Sequence, residues 1–517
     1  MRRKPFWICA LILSLTLAGC NNSNNTNTAA DKKTKEKGQF TKRDLSGDYD
    51  ESKAETLSFS ENSIETSSKS ISVKDTTATI KSDGLYILSG TCDNGMVVVD
   101  AAKTDKIQIV LKDVSLKSQT SAAIYVKQAD KVFLTLADGT KNTLGSGSEY
   151  IAIDENNIDG AIFSKDDLTI NGTGSLDVES QTGHGIVGKD DLVFANGSYS
   201  VNAAKDAVSA NDSIRIADGN FKLHAEDDAF HCDDYIYIAG GEFEVEAGDD
   251  AFHADKNLTV EDGKISVTNC YEGLEAQVIN ISGGEIDIVS SDDGVNAAGG
   301  NDSSSTTNDF GKRDRFDTDS DADITISGGV LHVSAEGDGL DSNGNITVSG
   351  GEIYITGPEH PGNASLDYGI DAVITGGKFV AAGAAGMAEN FGSKSTQGCI
   401  LINTDEQKAG TGITLADVDG NEMLTWVSDK TYSCVVISLP EIKEGRKYTL
   451  KAGSFSQEIT MDSLIYGTGN GMGFGGGHGG QNHQKRWGRG RQNQDQMPNK
   501  PEGSAAPDIK QKNRGTT

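Results

Sequence analysis

The chain has 517 residues with 77 acidic against 46 basic side chains and a formal net charge of −31, a field that argues against nucleic acid as a partner. Gly 62 against Pro 7, aromatics at 6% and abundant Asp, Ser, Thr, Val and Ile describe many short strands joined by tight turns and exclude a helical protein. The length fits two or three domains, or one long solenoid.

At the N-terminus, Arg2, Arg3 and Lys4 precede an apolar run from Phe6 to Leu17. Leu17-Ala18-Gly19-Cys20 resembles the lipobox of a lipoprotein signal peptide, which implies loss of residues 1–19, a lipid on Cys20 and anchorage at the extracellular face of a bacterial membrane. The alternatives are an ordinary cleaved signal or a short anchor, although the run is too short to span a bilayer comfortably. Residues 20–55, with NNSNNTNTAADKKTKEKG following Cys20, read as a polar tether. With Cys9 and Cys20 in the leader and at the lipid site, Cys92, Cys232, Cys270, Cys399 and Cys434 remain, without metal-binding spacing. They read as isolated buried thiols, with one pairing, Cys232 to Cys270, left open.

From residue 160 a repeat takes over. GAIFSKDDLTI (160), HGIVGKDDLVF (184), DAVSANDSIRI (206), DAFHCDDYIYI (228), DAFHADKNLTV (250), EGLEAQVINI (272), DGVNAAGG (293), DGLDSNGNITV (338) and YGIDAVITGG (368) share one register, and from 184 to 293 the steps are 22, 22, 22, 22 and 21 residues. Each unit ends in a second strand after a Gly turn, as in AGGEFEVEA and SGGEIDIVS. Such a unit cannot bury an apolar face alone, so coils stack about 4.8 Å apart. The expected fold is all-β: a right-handed parallel β-helix over 56–388, whose irregular N-terminal coils act as a cap. Ile162, Ile186, Val208, Phe230, Phe252, Leu274, Val295, Leu340 and Ile370 form its expected interior column. An acidic insertion, 299–323, imitates an EF-hand at Asp317, Asp319 and Asp321, but Ala322 and Gly328 stand where that loop needs Gly and Glu. Residues 389–465 lose the period and read as a small C-terminal β domain or cap; 466–517 read as a disordered, Gly-rich basic tail.

The same register stacks acids. Two residues before the interior column stand Asp206, Asp228, Asp250, Glu272, Asp293 and Asp338; just after it stand Ser209, His231, His253, Glu275, Asn296, Asp341 and Asp371. Unit charges about 4.8 Å apart repel by about 3.5 kcal/mol at an effective dielectric of 20, so such a column needs counter-charge or protons. Calcium, which takes oxygens from adjacent rungs, supplies it. The candidate ligands are Asp206, Asp227, Asp228, His231, Asp249, Asp250, His253, Glu272, Glu275, Asp292, Asp293, Asp338 and Asp341. The competing reading is a solvated face of turn-forming aspartates. For the histidines, zinc or another transition metal stands beside the reading preferred here, stacked imidazoles hydrogen-bonded to acids.

AIFSKDDLTINGTGSL (161–176), GIVGKDDLVF (185–194), the DDAF and DDGV coils, the SGGEI turns and the Gly-rich tail together resemble the clostridial carbohydrate-binding β-helix family over about residues 60–465. The resemblance implies a shape like that of pectate lyases, calcium held along the stack, and binding of acidic plant-wall polysaccharide such as polygalacturonate, with cellulose also implicated. A non-catalytic, calcium-dependent binder is the expected function, and a monomer the expected state. A lyase is the alternative, with Arg215, Lys165, Lys189 or Lys205 as the base; a structural adhesin or spacer is the third reading. No catalytic residue is assigned. A platform for neutral glucan has only Trp426 in the folded body, with Tyr235 and Tyr237 as lesser contributors.

Overall fold

Ile162, Ile186, Val208, Phe230, Phe252, Leu274 and Val295 lie one above another, each paired with the next in a parallel ladder, and none is more than 1% exposed. They line the inside of a parallel β-solenoid of about 12 turns with no α-helix among the described residues. The computed structural model describes residues 39–61, 63–66, 68–297 and 319–469. The segment read as a leader with Cys20, most of the acidic insertion and nearly all of the segment read as a C-terminal tail lie outside them.

A regular coil has three strands, as in Phe230–Cys232, Tyr235–Ile238 and Glu242–Ala247, which extend three parallel ladders, the first, second and third sheets of the solenoid. Alternation decides which side chains go in: in Glu242–Ala247, Phe243, Val245 and Ala247 are buried while the glutamates face out. Inside, Tyr199, Phe221 and Phe243 stack at 4.8 Å spacings, and Phe230 stacks on Phe252 at 5.0 Å. The third sheet is entered at a glycine in every coil, and Gly219, Gly241, Gly263, Gly284, Gly329 and Gly351 all have positive φ. Their carbonyls accept the N–H of the first strand residue in the next coil at 2.8–2.9 Å, so the turn is part of the ladder. All five cysteines of the folded body are buried and free, and the Cys232–Cys270 pairing does not form.

The interior column needs one correction. Leu340 pairs with Leu366, and Ile370 is 43% exposed. A longer turn carrying Pro358 and Pro361 precedes Leu366, which shifts the true register four residues ahead of the motif match. The residue following the column is therefore Asp367, and Asp371 pairs with Asn345 on the second sheet.

Both ends are closed by antiparallel strands. Glu55–Ser60 pairs with Ser63–Glu65, and Ile71–Lys74 with Thr77–Ile80, above the first coils. At the other end Tyr432–Ser438 runs antiparallel to Lys378–Gly383 and to Cys399–Gln407, so part of the segment read as a small β domain or cap pairs directly with the last coil. A four-stranded sheet, Glu422–Val427, Gly412–Asp417, Lys447–Ala452 and Phe455–Thr460 in that order, closes over it around Ile413, Leu415, Leu450 and Tyr432.

Of the segment read as a tether, residues 39–53 lie along the second sheet as a strap. Gln39 accepts from Arg215 at 3.0 Å, and Phe40 packs on Tyr237. Asp44 receives Thr169 at 2.8 Å and pairs with Lys131 at 2.8 Å. Farther on, Gln108 donates to the Asp48 carbonyl and Lys112 pairs with Glu51.

Candidate functional site

At the corner leading into the first sheet, the acids form a ladder of side chain to backbone bonds. The Asp250 N–H donates to Asp228 Oδ1 at 2.9 Å and the Glu272 N–H to Asp250 Oδ1 at 3.0 Å. Farther down, the Asp338 N–H donates to Asp293, and the Ala364 N–H to Asp338. One oxygen of each of these aspartates thus holds the next coil in place, which explains the carboxyl at this position. It leaves the second oxygen, and its charge, to be matched by something else.

The column matches that charge in two ways. In the upper half Asp206, Asp228, Asp250 and Glu272 are at most 6% exposed, and three of them meet an imidazole. Asp206 Oδ2 lies 3.0 Å from His184 Nδ1, Asp228 Oδ2 2.8 Å from His231 Nδ1, and Asp250 Oδ2 3.1 Å from His253 Nδ1. The rings of His231 and His253 stack at 4.9 Å. Burial works against the charged ring, yet Asp228 raises His231 to about 9, and Asp250 with Glu275 raises His253 to about 12. Burial likewise works against the Asp206 carboxylate, and His184 more than offsets it, so its pKa falls. The expected pairing of stacked imidazoles with acids is present.

In the lower half Asp293, Asp338, Asp341 and Asp367 are only half-buried, and neither Asp338 nor Asp341 has an ion-pair partner among the described residues. Burial first, and then Asp293 and each other's neighbours Asp341 and Asp367, push Asp338 well above the usual carboxylate range; Asp341 is raised by the same crowding. Oxygens of Asp293, Asp338 and Asp341 lie within 4.8 Å of one another. Gly337 leaves room beside them, since a Cβ there would collide with Asp292 Oδ1 and Asp293 Oδ1. Glu389, held up to about 7 by burial and by Asp367, extends the acidic run into the C-terminal cap. An all-oxygen, acid-rich set suits a hard dication.

The remaining sequence candidates sit at the margin. Asp227 and Asp249 approach Asp228 closely enough for one ion, and Asp227, exposed among them, is raised by burial and Asp206. Three participants were not among the sequence candidates. His184 occupies the acid position of its own coil, so the register alone points to it. Asn296 stands in the column and escaped because it is uncharged, while Asp367 was hidden by the register slip. Arg215, a base for the lyase reading, is tied to Asp191 and covered by Gln39.

Residues 74–309 match the model of a family described as carbohydrate-binding domain-containing protein; that span includes the histidine half of the column and ends before Asp338. Over 135 residues the chain is 36% identical to a carbohydrate-binding domain-containing protein of Acetivibrio thermocellus, covering 26% of this chain and 47% of the relative. The chain thus spans about half the length of that relative. Among solved structures, a polysaccharide lyase-like protein from C. thermocellum, solved as a gadolinium derivative, matches with a TM-score of 0.41 and 28% identity, over 45% of this chain and 93% of that one.

Proposed function

We propose that the chain is a non-catalytic binder of acidic polysaccharide that grips its ligand through calcium held by Asp293, Asp338 and Asp341. The carrying observation is the pair Asp338 and Asp341, crowded by other carboxylates and lacking any basic partner among the described residues. Such a group stays folded only by holding protons or by taking up a cation. The match of residues 74–309 to a carbohydrate-binding domain family supports a sugar ligand. Burial supports the choice of the lower half, because its half-buried acids leave an ion open to solvent, whereas Asp206, Asp228 and Asp250 are enclosed and already paired with imidazoles.

The proposal also resolves a conflict of charge. A body this acidic repels a polyuronate, and a dication seated in the column reverses the local field and accepts the sugar's carboxylates in its open positions. Calcium supplies charge and coordination; the aspartates supply its position. Lipid anchorage through Cys20, at the outer face of a bacterial membrane, would present this site to wall polymers.

Calorimetric titration of chelator-treated protein with calcium, followed by polygalacturonate pull-down, tests the reading. Expected are calcium-dependent retention, no unsaturated product absorbing in the ultraviolet, and loss of both calcium and polymer binding in Asp338→Asn and Asp341→Asn. Retention that ignores chelation, or variants that bind as the parent does, would overturn it, and product formation would establish the lyase.

A further inference from the structure

Within the upper half, one coil departs from its neighbours. His184 and His231 each place Nδ1 against one carboxylate of the acid column, but His253 Nδ1 lies between two, 2.7 Å from Glu275 Oε2 and 3.1 Å from Asp250 Oδ2. All three donor atoms lie within 4.8 Å of one another. Glu275 is 0% exposed; its Oε2 faces the His253 ring, while Oε1 receives no hydrogen bond. Asn296, next to it in the ladder and 4% exposed, gives its amide N–H to Glu272 and leaves Oδ1 without a donor.

Two enclosed acceptor oxygens without donors, Glu275 Oε1 and Asn296 Oδ1 on adjacent rungs, are an expensive arrangement unless a cation fills it. The donors differ in kind from those around Asp341. Calcium and magnesium favour all-oxygen sets, while an imidazole nitrogen with carboxylates favours borderline d-block ions.

We propose that Asp250, His253 and Glu275, with Asn296 Oδ1 as the candidate fourth donor, form a buried site for a zinc-type divalent ion, separate from the calcium site at Asp338 and Asp341. The ion takes the place of the Nδ1 proton of His253, which leaves to solvent, and no electron is transferred. It bridges the coils that begin at Asp250 and Glu272, so it staples the middle of the solenoid. The proposal stands apart from the polysaccharide reading and uses different residues.

Cobalt(II) is the probe, because its visible ligand-field bands report four-coordinate binding through nitrogen and oxygen. The full chain carries His478 and His483 in the tail, so the parent for the test has both changed to alanine. Chelator-treated protein titrated with cobalt is expected to develop the bands, zinc to abolish them, and a hundredfold excess of calcium to leave them. His253→Asn, which keeps a donor near the δ position, is expected to lose them, Glu275→Gln to weaken binding at least tenfold, and Asp341→Asn to retain them. Melting curves of each variant establish that it is folded. A parent without bands, a folded His253→Asn protein that binds cobalt as tightly as the parent, or displacement by equimolar calcium would each overturn the site.

Discussion

Asp44 is buried and Asp338 half-buried, yet desolvation acts on both and their carboxyl groups move in opposite directions. At Asp44 burial pushes upward, but Lys131, Thr41 and Thr169 outweigh it and hold the group at about 2; at Asp338 nothing opposes burial except one backbone N–H. Removing the Asp44 carboxylate leaves the enclosed Lys131 with only Asp167, at 3.9 Å, as a partner, so Asp44→Ala is expected to cost about 2–4 kcal/mol in urea unfolding. Because the folded value is depressed, the stability from this pair is present above the ordinary value near 4 and lost as pH falls through about 2. His231 gives the opposite sign. Its value rises from 6.5 to about 9, so its contribution, up to about 3 kcal/mol, is complete below 6.5 and gone above 9. The stability difference between the metal-free parent and His231→Asn is therefore expected to shrink across that window, read by thermal melts at stepped pH. Asp338 and Asp341, raised carboxylates, make metal-free protein lose stability as pH climbs above the usual carboxylate range. Calcium is accordingly expected to raise the melting temperature more at pH 8 than at pH 5.

At the scale of strands and turns, the repeat carries most of the information because each coil solves the same packing problem at the same positions. Interior residues such as Phe230 and Phe252, the glycine turns and the acid corner were legible from spacing alone. Ile370 was not, since a lengthened turn keeps the motif's look while moving its register. The division of the column was legible only in part: His231 and His253 announced imidazoles beside the acids, but acids at equal intervals gave no sign that Asp338 has no such partner. Packing in the aromatic stack is specific enough to test. Phe252→Ala empties a site with Phe230 at 5.0 Å and Phe243 at 5.8 Å, and is expected to destabilise by about 3–5 kcal/mol in denaturant unfolding. Gly351→Val combines an unfavourable backbone angle, φ +82, with a Cβ 2.8 Å from the Gly328 carbonyl oxygen. It is expected to disrupt entry into the third sheet, with lower folded yield and earlier proteolysis near that turn.

For the whole molecule, the two ends differ from the middle for a reason that periodicity could not reveal. A stack of parallel strands has two open edges, and both are closed by strands running the other way. The end of the period after residue 388 was visible in the sequence; the return of Tyr432–Ser438 to the last coil was not, because antiparallel partners so distant in the chain leave no local signal. Ending the chain after Ala384 is expected to expose the Lys378–Gly383 edge and to produce self-association, measured by light scattering against the intact protein. The strap was missed as well, its polar composition matching a linker until Asp44 met Lys131. Its course has a mechanical meaning. It begins beside Arg215, travels back across the second sheet to Lys112, and only then enters the first strand. Tension applied upstream of Gln39 is therefore borne broadside by many rungs at once, as a cable lashed along a mast shares its load, and the terminal hairpin is spared from being unzipped.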